Sequence, residues 1–323
     1  MIEPTFADIL DARRRIAKYL KPTPFFKSNP LSKRLRFEAY IKCENLQPIG
    51  AFKVRGGINL ISKLSDHERR QGVITASTGN HGLSIAYASA LFGVQAIIGA
   101  PIGSNPYKIQ AIRDLNARVE LRGKDFDEAR LWVETEAGRK GYRYIHSANE
   151  PDLIAGVGTL YLEILEELPE VDVIFVPVGG GSGASGACIA AKTVNPSIKV
   201  IGVQSEGAPA VYESWKSGTA VEKEEIRTFA DGLATRIPFE LTMQIMRRLL
   251  DDMMLVSEED LKNAIRLLLE TTHQVAEGAG AAATAAAIKM GNELEGKKVA
   301  LVISGGNLTT DMLRSIIQSD INP

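Results

Sequence analysis

Short apolar runs rich in valine and isoleucine recur along this chain, and between them apolar residues return every third or fourth position. The short runs predict strands over 39–43, 72–76, 96–99, 119–122, 173–178, 200–203 and 299–303. The intervening periodicity predicts helices over 82–91, 108–115, 127–138 and 154–167. Strands and helices alternating in this way make parallel sheets with helices on both faces, an α/β fold. Ser257-Glu258-Glu259-Asp260 carries a capping-box pattern ahead of the stripe Leu261, Ile265, Leu268 and Leu269, so a helix should start there. The segment 279–287 is alanine at all but two positions and reads as a buried helix packed closely on a neighbour. We expect residues 72–149 to form a smaller inserted domain, with 1–71 and 150–323 together building the larger one.

At 323 residues, with 45% hydrophobic and 24% charged positions, the chain lies in the ordinary globular range. Its 38 basic and 39 acidic residues leave a formal net charge of −1. That balance argues against a nucleic-acid footprint or a membrane-surface helix and for a small-molecule substrate. No apolar stretch reaches the ~20 residues of a membrane span, and Met1-Ile2-Glu3-Pro4 lacks a signal-peptide pattern, so a cytoplasmic location is expected. Cys43 and Cys188 lie far apart in apolar settings and read as small core residues. None of the histidines, His67, His81, His146 and His273, makes a metal-ligand spacing.

Candidate chemistry enters with four punctuated segments. Val173-Ile174-Phe175-Val176-Pro177-Val178 runs into Gly179-Gly180-Gly181-Ser182-Gly183-Ala184-Ser185-Gly186 and then a helical stretch. A strand, a glycine turn and a helix N-terminus present backbone N–H groups and a positive dipole end to an anion. The same residues also fit a tight turn without a ligand. Residues 181–186 match the GxGxxG dinucleotide pattern as well, with Glu206 at about the right distance. Lys53 sits in Gln47-Pro48-Ile49-Gly50-Ala51-Phe52-Lys53-Val54-Arg55-Gly56-Gly57, at a helix start where α/β folds place ligands. Alone it reads first as a solvated lysine; burial and nearby positive charge would make its amine nucleophilic. Ala76-Ser77-Thr78-Gly79-Asn80-His81-Gly82 follows another strand and opens another helix. Its N–H groups and hydroxyls suit a carboxylate, and Asn80 offers an amide to a phenolic oxygen. Ser304-Gly305-Gly306-Asn307 ends a further strand. One amine, one anion cradle and two polar loops are the parts that hold a phosphorylated aldehyde as a Schiff base.

Through these segments, and through Pro22-Thr23-Pro24, Glu44-Asn45-Leu46-Gln47 and Ala155-Gly156-Val157-Gly158-Thr159, the chain resembles a known family over nearly its whole length. That family is the fold-type II pyridoxal-phosphate enzymes of the threonine dehydratase and serine racemase group. Val54 after Lys53 separates it from the threonine synthase type, which carries Lys-Asp-Arg there. The resemblance implies a tryptophan synthase β-like fold: two three-layer αβα domains with mostly parallel twisted sheets, the smaller closing over the substrate. It also implies pyridoxal 5'-phosphate as cofactor and a homodimer or higher homo-oligomer. Lys53 would carry the cofactor, with Ser77 and Thr78 as further catalytic residues. Asn80 would bind the ring oxygen, Gly179, Gly180, Gly181, Ser182 and Gly183 the phosphate, and Ser304 the pyridine nitrogen, with Phe52 and Glu277 beside the ring. Ser77, Thr78, Gly79, Asn80 and His81 would take the substrate carboxylate.

Ser304 also constrains the reaction. A neutral hydroxyl, unlike a carboxylate, leaves the pyridine ring less electron-withdrawing, which disfavours a long-lived carbanion and suits β-elimination. The expected activity is an ammonia-lyase acting on L-threonine and L-serine, giving a 2-oxo acid and ammonia. Rival readings are serine racemisation or dehydration of a hydroxyaspartate; from other classes come a dinucleotide-binding oxidoreductase using 181–186 and a non-catalytic amino-acid sensor. Racemases of the group carry a serine where Thr78 stands, so the added methyl weakens that reading. The group's divalent-metal site uses carboxylates where this chain has Gln204 and Ala210, with Glu206 as partial compensation, so no metal is expected. With the chain ending soon after the Ser304 strand, feedback through an appended regulatory domain is not expected either.

Overall fold

The structure is a computed structural model that describes residues 2–77 and 79–318. Among the described residues the strands are β1 Phe25–Lys27, β2 Glu38–Cys43, β3 Val73–Ala76, β4 Ala96–Ala100, β5 Arg118–Leu121, β6 Arg143–Tyr144, β7 Val173–Pro177, β8 Lys199–Ser205, β9 Asp252–Val256 and β10 Lys298–Ile303. Each expected strand is present within a residue or two. β1, β6 and β9 were not anticipated: the first two span 3 and 2 residues, and the third reads Asp-Met-Met-Leu-Val, none of them a β-branched run.

The chain divides into two compact units, each built from two stretches. One joins the start of the chain, through Leu20, to Lys53–Thr159; the other joins Lys21–Phe52 to the chain from Leu160 onward. The first unit holds a parallel sheet in the order β5-β4-β3-β6. These limits differ from the expected 72 and 149. The reason is close packing by glycine: a side chain at Gly57 would begin 2.3 Å from Ser84 Oγ, and one at Gly156 2.7 Å from Arg55 O. Helix Lys53–Ser62 therefore beds on Asn80–Phe92 and on the start of helix Pro151–Glu167 as one body.

The second unit holds a six-stranded sheet in the order β1-β2-β10-β7-β8-β9, parallel except for the antiparallel edge β1. Its core joins Ile41, Phe175, Val203 and Leu301 to the alanines of helix Gly278–Met290, as the composition of that run suggested. Ser257 caps helix Glu258–Thr272 as expected: its Oγ accepts from Asp260 N, and the Asp260 carboxylate accepts from Ser257 N. Fully buried Lys42 pairs with Glu163 at 2.7 Å and donates to Thr23 O at 2.8 Å, so this interior cation is both neutralised and hydrogen-bonded. Cys43 and Cys188 are buried, and burial pushes both thiols up to about 12, which suits inert core residues. No helix among the described residues is long and apolar enough to cross a membrane.

Candidate active site

In the second unit, β7 and β10 are parallel neighbours, so their C-terminal ends deliver residues 179–183 and Ser304 to the same sheet edge. Gly181, at φ +89°, caps the 13-residue helix Ser182–Val194. The helix's first backbone bond runs from Ser185 N to Gly181 O, so the N–H groups of Ser182, Gly183 and Ala184 belong to its donor-rich first turn. The turn is pinned from outside. Thr242 Oγ1 donates to Gly180 O at 2.7 Å, and a side chain at Gly179 would begin 2.2 Å from Gly232 O. At Gly183 a methyl would come within 3.4 Å of the Phe52 ring and 3.5 Å of the Tyr161 hydroxyl, ordinary contact distances.

Phe52 N donates to Ser304 O at 2.9 Å, and Ala51 bridges Gly305, so the strand end at Ser304 holds the segment that leads into Lys53. Ser304, 5% exposed, donates its hydroxyl to Ala279 O at 3.3 Å. Glu277 is buried and lies on Gly305, where an added side chain would begin 2.3 Å from its Oε1. Phe52, the 179–183 turn, Glu277 and Ser304 thus share one unit, the grouping expected of them.

In the first unit, Lys53 opens its helix, and its carbonyl accepts from Ser84 Oγ at 2.6 Å. Its amine donates to Ser147 O at 3.5 Å, and loss of solvation pushes its pKa down to about 8. Ser77 Oγ accepts from Gly79 N at 3.0 Å and Gly82 N at 2.8 Å, which fixes the loop and the start of helix Asn80–Phe92. With both lone pairs engaged, that hydroxyl fits loop shaping better than proton transfer. Thr78 lies outside the described residues. Asn80 is the first residue of the helix, half-buried.

His81 is 7% exposed, and its Nε2 meets Thr75 Oγ1 at 2.9 Å. Thr75 gives its own hydrogen to Ile145 O at 2.7 Å, so it accepts from His81 Nε2–H, and with Nδ1 buried and without a hydrogen-bond partner among the described residues the ring stays neutral. Burial first, with Lys53 and His146 beside it, holds its pKa well below the ordinary value. His146 accepts from Ala148 N and Asn149 N through Nδ1, and burial with nearby Arg130 takes its pKa down to about 4. These two neutral rings and the Ser147 carbonyl were not legible in the sequence. Lys108 was also missed, although a signal existed. A cation in the first turn of helix Pro106–Asp114 opposes the helix dipole, and here its Nζ lies 3.3 Å from where a Gly79 side chain would begin.

At the residues compared with a metal site, Gln204 is fully buried with Oε1 accepting from Tyr212 N at 2.9 Å. Ala210 is buried at a helix start, and Glu206 pairs with Lys289 at 3.2 Å. No cluster of three or more metal-ligating side chains occurs among the described residues.

Comparison with known proteins adds three findings. The profile of the family described as pyridoxal-phosphate dependent enzyme matches residues 16–305. The chain is 43% identical over 317 residues to an L-threonine ammonia-lyase of Thermotoga maritima, covering 98% of this chain and 79% of that one. It is 37% identical over 311 residues to the catabolic L-threonine dehydratase of Escherichia coli K12, covering 96% and 94%. The structure of maize serine racemase superposes with a TM-score of 0.92 at 30% identity, covering 99% of this chain and 98% of that one. The residues fit such a cofactor: the N–H donors of the first turn at 182–184 suit its phosphate, and an amine near pKa 8 suits its aldehyde.

Proposed function

The chain belongs to the pyridoxal-phosphate-dependent enzymes, and from that premise we propose that it is an ammonia-lyase for L-threonine, acting also on L-serine. The observation that carries this reading is Lys53, an amine whose pKa of about 8 leaves a usable neutral fraction at physiological pH. The bound cofactor supplies an aldehyde for the substrate amine and an electron-withdrawing ring that makes the α-proton removable.

The chain's own residues do the rest. With the cofactor bound, the 179–183 turn and the helix N–H groups that follow it would hold the phosphate, Ser304 would face the pyridine nitrogen, and Phe52 and Glu277 would flank the ring, a reading supported by their lying in one unit. Asn80 would take the ring oxygen, and the loop around Gly79 and His81, its shape set by Ser77, would orient the substrate carboxylate. Lys53 removes the α-proton. The β-hydroxyl leaves with one proton as water, and the released enamine takes up one water to give 2-oxobutanoate and ammonia from threonine. Neutral Ser304 supports elimination over reactions that need a long-lived carbanion. We place the enzyme in the cytoplasm as a homodimer.

The test is the visible spectrum of purified protein before and after L-threonine. We expect an absorption band that changes on addition while 2-oxo acid accumulates, and loss of turnover in Lys53→Ala. A band indifferent to L-threonine but responsive to L-serine with D-serine forming would favour racemisation. No band after supplying pyridoxal phosphate would sink the assignment and revive a nucleotide ligand for 181–186.

A further inference from the structure

We propose that the first turn of helix Ala210–Ser217 and the side-chain amide of Gln204 together bind a small inorganic anion of halide size, in a place that the cofactor reading does not use. The helix starts after Pro209 and has no side chain capping its N-terminus, unlike helix Glu258–Thr272 with its Ser257 cap. Its first backbone bond runs from Glu213 N to Pro209 O. The N–H groups of Ala210 and Val211 come before that bond, and no acceptor for them occurs among the described residues. Both residues are buried, Ala210 at 0% and Val211 at 1% exposure. Buried N–H groups of a folded chain nearly always have a partner, so two adjacent ones without an acceptor call for a ligand.

Gln204 supplies the second observation. It lies on β8, 0% exposed, and its Oε1 accepts at 2.9 Å from Tyr212 N, the third N–H of the same turn. That bond fixes which way round the amide sits, because the oxygen must face the donor. Nε2 shares its carbon with Oε1 and so lies against the first turn, and it too has no acceptor among the described residues. Three buried donors thus gather where the helix dipole is positive. The carbonyls around them are already engaged: Ser205 O accepts from Ala208 N, Gly207 O from Arg227 N and Pro209 O from Glu213 N. Nearby carboxylates are balanced, Glu213 by Lys223 at 2.7 Å and Glu206 by Lys289 at 3.2 Å. A water molecule accepts only two hydrogen bonds and must donate the others, and a metal ion needs lone pairs. A set made of donors fits an anion.

The test grows crystals of the holoenzyme in potassium bromide and reads its melting temperature in potassium chloride and in potassium gluconate, a much larger anion, at equal ionic strength. An anomalous bromide peak should stand within hydrogen-bond distance of Gln204 Nε2 and the N–H groups of Ala210 and Val211. Chloride at about ten times its dissociation constant should raise the melting temperature by about 2 °C over gluconate. In Gln204→Glu one carboxylate oxygen can still accept from Tyr212 N while the other supplies the negative charge, so both the chloride effect and the bromide peak should vanish. If that variant does not fold, the bromide peak and the salt dependence of wild type decide alone. An ordered water in place of bromide, with equal melting temperatures in the two salts, would overturn the proposal. A bromide peak without any chloride effect would mean an adventitious ion only and overturn it as well. So would a manganese ion bound there on addition of manganese chloride, or a chloride effect that persists in Gln204→Glu.

Discussion

At the scale of single residues, the chemistry turns on how far burial moves Lys53. An unperturbed lysine amine near pKa 10.4 is neutral only about one part in a thousand at pH 7.4, whereas one at about 8 is neutral at roughly the one-in-five level. The depressed value has a single cause, desolvation, and the two histidines nearby do not add charge because both stay neutral. The rate at which apoenzyme captures pyridoxal phosphate should therefore rise with pH up to about 8 and level off above it. Stopped-flow absorbance of apoenzyme mixed with the cofactor reads this directly; a rate still climbing at pH 10 would mean that Lys53 is solvated. Lysine, glycine turn and serine were legible in the sequence because each sits at a strand end or helix start with distinctive neighbours. The tautomer of His81 was not, since it depends on Thr75 and Ile145, residues joined to it only by folding.

Among the elements, the alanine-rich helix Gly278–Met290 shows how packing places a reacting group. Its small side chains let it lie on the sheet so closely that a Cβ at Gly280 would begin 2.1 Å from Gly305 O. Ser304 in turn donates to Ala279 O, so the helix position fixes the serine proposed to face the pyridine nitrogen. Gly280→Ala should destabilise the protein by about 1–3 kcal/mol, since the opposing atom is backbone and cannot rotate away. It should also weaken cofactor binding, which separates it from an ordinary core defect. Urea unfolding and cofactor titration of the variant check both; an unchanged midpoint would show that the helix can shift freely. Such contacts explain what the sequence could and could not show. Alanine-rich composition revealed that this run is a buried helix, and the capping box revealed where Glu258–Thr272 begins. The close approaches at Gly57 and Gly156 left no periodic mark, which is why the limits of the first unit were misplaced toward residue 72.

For the whole molecule, the two units each have their own sheet, and the sheets differ in how well their edges are covered. The first unit has open edges: β5 is exposed at both ends, and β6 has 2 half-buried residues. In the second, β7, β8 and β10 are almost wholly buried. Apoenzyme should therefore exchange its amide hydrogens first at β5 and β6 and last at β7 and β10. If the proposed residues hold the cofactor, saturating it at about 100 times its dissociation constant adds ~2.7 kcal/mol to any opening that destroys the site. Amides that exchange only through such openings should then slow about 100-fold, in β3 and helix Asn80–Phe92 as well as in β7 and helix Ser182–Val194. Hydrogen exchange read by mass spectrometry on apoenzyme and holoenzyme measures the two units separately. Protection confined to the second would assign the cofactor to that unit alone and leave Lys53 and Asn80 outside the site.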